Sequence, residues 1–140
     1  MYRVLLPAII LITITAAACG SGGGSANTGK SIKSGPAGNN LTATISNGDG
    51  VLKKGNQTLT ITFGDPSGKP VDVGSASLNF FMPAMGSMSA MNTPATLTTT
   101  STPGVYSAAI DIEMSGEWQA QIKYDGPAGK GNGTLPITAQ

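Results

Sequence analysis

From Leu41 onward, apolar and polar residues alternate with a period of two. Thr58-Leu59-Thr60-Ile61-Thr62-Phe63 puts Leu59, Ile61 and Phe63 on one side and threonines on the other. Leu78, Phe80 and Met82 share a face of the next run. Tyr106, Ala108, Ile110 and Ile112 share another, as do Trp118, Ala120, Ile122 and Tyr124. Leu41 to Ile45 and Leu135 with Ile137 complete the series, and the threonine-rich run Ala95 to Thr100 reads as an edge. Such alternation in β-branched and aromatic residues is the signature of half-buried strands. The breaks carry turn chemistry: Asn47-Gly48-Asp49-Gly50, Gly64-Asp65-Pro66-Ser67-Gly68, Thr102-Pro103-Gly104, Ser115-Gly116 and Asp125-Gly126-Pro127. About seven strands over about 100 residues predict an all-β, immunoglobulin-like antiparallel β-sandwich. Trp118, Ile61, Phe63, Ile110 and Ile122 are its predicted core.

Antiparallel order sorts the loops between two ends. The segments Asn47 to Gln57, Pro83 to Pro94 and Glu113 to Gly116 fall at one end, and Gly64 to Gly74 at the other. The first end thus gathers Met82, Met85, Met88, Met91 and Met114, five of the six methionines. Four of them recur at a strict three-residue step in Met82-Pro83-Ala84-Met85-Gly86-Ser87-Met88-Ser89-Ala90-Met91. Pro83, Gly86 and the small residues argue against a helix. A polyproline-like course has three residues per turn and would line all four thioethers on one side. The expectation is a strand ending near Met82, then an ordered, non-helical loop.

The first 40 residues read differently. Met1-Tyr2-Arg3 is positive, Val4 to Thr15 is apolar, and Ala16-Ala17-Ala18-Cys19 follows, the layout of a secretory signal. The apolar run is shorter than the roughly 20 residues of a spanning helix. The cysteine at the cleavage point resembles the lipobox of bacterial lipoproteins. The reading is a signal peptide over 1–18, lipid on Cys19, and a protein tethered extracytoplasmically to a bacterial membrane. Residues 19–40, rich in Gly, Ser, Asn and Lys, read as a flexible tether with a mean reach of roughly 25 Å. The folded domain is then 41–140.

Composition narrows the chemistry. The mature chain has no second cysteine, so its core holds without a disulfide. Seven lysines face seven carboxylates once Arg3 is removed with the signal; nucleic acid is not an expected partner. With no histidine, scattered carboxylates and the single cysteine under lipid, nucleophilic and acid–base catalysis are poorly served, and the protein is not expected to be an enzyme. Zinc lacks its usual ligands. Asp65 and Asp72 show no calcium-loop spacing. Asp111 and Glu113, two apart on a strand, read as solvated acids at a sheet margin.

Thioethers remain. They are soft ligands that select Cu(I) and need no deprotonation. Met82, Met85, Met88, Met91 and Met114 are the candidate donors, and the indole of Trp118 is a candidate cation–π cover. The bland alternative makes Met82 and Met114 core and the rest an adaptable contact surface.

The runs Gly55 to Phe63, Asp65 to Val71, Phe81-Met82-Pro83-Ala84-Met85-Gly86, Pro103-Gly104-Val105-Tyr106 and Met114-Ser115-Gly116-Glu117-Trp118 together resemble the YtkA-like domain. That family is similar to FixH proteins and to a region of some copper-efflux adaptors. The resemblance covers roughly Val51 to Ile137. It implies an immunoglobulin-like sandwich outside the cytoplasm and points to copper handling, with a copper protein or an efflux or oxidase-assembly partner. Family members often carry histidine after the Met-Gly pair; here that position is Ser87. Two functions stand open: copper(I) binding or delivery from a membrane anchor, and a non-catalytic module that docks a partner through its methionine end.

Overall fold

Alternation translates into strands wherever one face of an extended segment can be buried. The computed structural model describes residues 29–140. The expected signal peptide, Cys19 and the first part of the expected tether lie outside the described residues. Nine strands follow in order: β1 Lys30–Pro36, β2 Thr42–Asn47, β3 Gly55–Gly64, β4 Ser75–Met82, β5 Met91–Pro94, β6 Thr96–Thr99, β7 Val105–Ile112, β8 Gly116–Gly126 and β9 Gly129–Ala139. They form two antiparallel sheets, ordered β1-β2-β3-β7-β6 and β5-β4-β8-β9. The fold is an all-β sandwich. Among the described residues no helix is long and apolar enough to cross a membrane.

Every predicted inward residue faces the space between the sheets. Leu59, Ile61 and Phe63 of β3 are fully buried, as are Phe80 of β4 and Ala120 of β8. Phe63 is central: its ring meets Tyr106 at 5.7 Å and Tyr124 at 5.5 Å, both edge to face. The two phenols reach out of the core to backbone carbonyls, Tyr106 to Gly74 at 2.6 Å and Tyr124 to Gly38 at 3.0 Å. β6 is the edge of its sheet, as its threonine-rich composition predicts.

Two expectations are corrected. The tether does not run to residue 40: Lys30–Pro36 is strand β1, paired with β2 from Lys30↔Asn47 to Pro36↔Thr42. Ala37 beyond it is fully buried, and Asn39 donates to Lys130 O at 3.0 Å. The segment is polar and glycine-containing because it lies on an edge, where backbone pairing rather than side-chain burial gives order. The second correction concerns strand number, nine instead of about seven. Met91–Pro94, expected as loop, pairs with Asn79–Met82 as β5. The chain then changes sheets at Ala95, whose N–H bonds Leu78 O at 2.9 Å.

The sorting of loops by end holds. Gly116 pairs with Ala139, and Ala139 bridges Leu52, so the β2–β3, β7–β8 and C-terminal segments share an end. The methyl carbon of Met82 lies 3.1 Å from where a Cβ on Gly116 would stand, which brings the methionine segment there too.

Candidate functional site: a methionine hairpin

The three-residue methionine step folds into a hairpin. Met82 pairs with Met91 at the end of the β4–β5 ladder. Three residues further on, Met85 and Met88 form an antiparallel bridge, with Met88 N to Met85 O at 2.9 Å and Met85 N to Met88 O at 3.2 Å. Gly86 and Ser87 are the two turn residues. Gly86 has φ +56° at the first central position, where a two-residue turn of the II′ kind needs glycine. The four thioethers are therefore two cross-strand pairs, symmetric about one turn.

An odd step along a strand changes face. Met82 points into the sandwich and is 2% exposed, with Met91 half-buried against the same core. Met85 and Met88 are 54% and 41% exposed, the exposed large hydrophobic side chains among the described residues. The expectation of a polyproline-like course with all four on one side is thus replaced by an inward-facing pair and an exposed pair. The non-helical expectation holds.

Met114 sits half-buried in the β7–β8 turn, packed against the core at the same end. Its carbonyl accepts the indole N–H of Trp118 at 3.1 Å. Trp118 is 1% exposed. It packs inside the sandwich and fixes the turn that carries Met114, rather than standing as an open lid over the exposed pair. Pro83, Glu117 and Trp118 line one small cleft, so the hairpin base abuts the start of β8.

Among the described residues no group of three or more His, Cys, Asp or Glu side chains is placed to hold a metal ion. The segment Pro83 to Ala90 contains no charged residue. Within this segment the available donors are thioether sulfur, backbone oxygen and the hydroxyls of Ser87 and Ser89. Asp111 and Glu113 are exposed, as expected of solvated acids. They line an open groove of about 580 Å³ with Asn56, Gln57, Asn92 and Thr93, where the change of sheets at Ala95 leaves the end of β7 uncovered. The groove escaped the sequence reading because it depends on β5, a strand with no apolar alternation.

Comparison with protein families decides the kinship: the YtkA-like description matches residues 37–123. The chain belongs to the YtkA-like family. The match takes in β2 through most of β8, and so both members of the methionine hairpin and the Met114–Trp118 turn. It begins earlier than the Val51 start of the sequence resemblance, at the buried Ala37, and stops before β9. In this YtkA-like chain β1 and β9 lie outside the matched span yet complete the two sheets. No curated protein and no solved structure matches the chain.

Proposed function

We propose that this YtkA-like domain binds a soft monovalent cation, Cu(I), through its methionine hairpin, and passes it to or from a copper protein. Met85 and Met88 are the accessible donors. Met91 and Met114 are half-buried against the core at the same end, and Met82 anchors the hairpin in the core. The observation that carries this reading is the exposed Met85–Met88 pair, held opposite each other by the Gly86-Ser87 turn. Two thioethers fixed across one rung lose less freedom on binding an ion than two on an open loop. Their softness selects Cu(I) over hard ions and over Cu(II), which prefers nitrogen and oxygen. Sulfur with no carboxylate or imidazole in the hairpin segment itself makes a weak site, suited to handing an ion on. A lipid anchor at Cys19, inferred from the signal sequence, would keep this exchange at a membrane surface.

Titration with Ag(I), a redox-inert stand-in, tests the reading. Methionine methyl NMR signals of Met85 and Met88 should shift, Met82 should move least, and M85L/M88L should abolish the response. If saturating Ag(I) leaves the two tip methyls unmoved, the metal reading falls. The exposed pair then reads as an apolar contact for a partner protein. The anchor is checked by mass spectrometry of the membrane-extracted protein. A diacylglyceryl group on Cys19 is expected; a soluble protein with a free thiol would overturn it.

A further inference from the structure

We propose that Met85 and Met88 are a paired methionine-sulfoxide modification site, oxidised together by hydroperoxides without unfolding the domain. The gradient of exposure along one hairpin carries the inference: 54% and 41% at the tip against 2% for Met82 three residues inward. Each thioether sulfur attacks the O–O bond of hydrogen peroxide. One oxygen is transferred to sulfur, which loses two electrons, and the other leaves with both protons as water. The product is polar and chiral where the thioether was apolar, and it is reversible by sulfoxide reductases. At Met82 such a group would lie in the core, against the Gly116 turn, and would break packing. At the tip it meets water. The turn itself is held by the backbone bonds between Met85 and Met88, which the side-chain chemistry leaves intact. Met91 and Met114, half-buried, stand between these extremes.

The consequence for metal rests on the copper reading above: a sulfoxide presents oxygen in place of the soft sulfur donor, so oxidation of the tip switches off soft-ion capture. The experiment separates the two claims. The full chain is treated with graded hydrogen peroxide and mapped by peptide mass spectrometry, with circular dichroism recorded at each dose. Met85 and Met88 should each gain one oxygen at doses that leave Met82 reduced and the β-sheet spectrum unchanged. Methionine sulfoxide reductases should restore both. Oxidation of Met82 or Met114 at the same rate as the tip, or loss of the fold as the tip oxidises, overturns the modification site. A parallel arm preloads the full chain with Ag(I). Slowed oxidation of Met85 and Met88 supports both claims. The same order of oxidation without protection by Ag(I) sustains the modification site and overturns the metal reading.

Discussion

Trp118 does two things that alternation along the chain cannot distinguish. Its ring is buried in the core at 1% exposure, and its indole N–H ties the carbonyl of Met114. Trp118→Ala should therefore cost about 3–5 kcal/mol, the range for deleting a buried aromatic, which is a large share of a small domain's stability. Trp118→Phe keeps much of the apolar area and should cost less, while releasing the Met114 carbonyl and loosening the β7–β8 turn. Thermal melts of both variants measure this. If Trp118→Ala melts with the parent, the inward parity assigned to β8 is wrong. A different residue-scale feature was hidden in the sequence altogether. The three-residue methionine step looked like a helical or polyproline stripe, because a periodicity argument assumes that the chain keeps its direction. Folded at Gly86, the same spacing becomes two opposing pairs. The signal that would have shown it is local: a glycine followed by a small polar residue at the symmetry point of the four methionines.

At the scale of elements, strands with a run of alternating apolar residues were legible, and the polar edges β1 and β5 were not. β3, β4, β7 and β8 carry strict alternation because each lies inside a sheet with one face on the core. β1 and β5 are edges, short on apolar residues, and order comes to them from backbone pairing with a neighbour that the sequence does not identify. The candidate site shows the same division. The residues that gather at one end followed from counting strand directions, whereas their depth did not, because depth depends on β5 turning Met91 back toward Met82. β1 offers a direct check. A chain beginning at Ala37 loses the ladder along β2 and uncovers the part of Leu135 that packs over Gly35. With a net value of about 1 kcal/mol per hydrogen bond, offset by the entropy of ordering seven residues, the loss should be roughly 1–3 kcal/mol. Denaturant melts of the two lengths measure it, and β2's bare edge should also raise the tendency to associate. Equal stability would return Lys30–Pro36 to the tether.

For the whole molecule, charge and titration set the working range. Seven lysines balance seven carboxylates in the described residues, and the sequence holds no histidine to titrate near neutrality. At the acid side, the side-chain hydrogen bond from Ser67, with the backbone bond from Lys69, holds Asp65 below the usual carboxylate range. A lowered folded value means that its stabilisation is present above the unfolded pKa, about 3.9, and is lost as pH falls through the folded one. At the alkaline side, burial, with the nearby charge of Asp72 second, pushes the Tyr106 phenol up. A raised folded value in an acid means the neutral form is favoured by folding. Its contribution is full below the unfolded pKa, about 10, and disappears as pH rises through the folded one. The structural cause is plain: an ionised Tyr106 could no longer donate to Gly74 O, and its charge would be partly buried and repelled by Asp72. The melting temperature should thus be level from about pH 5 to pH 9, and fall beyond it, since among the described residues no side chain has an ordinary pKa in that interval. Tyr106→Phe should lower the plateau, by the lost bond to Gly74, and flatten the alkaline limb, because the group that must ionise is gone. Melting curves of parent and variant across pH 4 to 11 distinguish the two effects. An alkaline limb of unchanged steepness in Tyr106→Phe would remove Tyr106 as its cause.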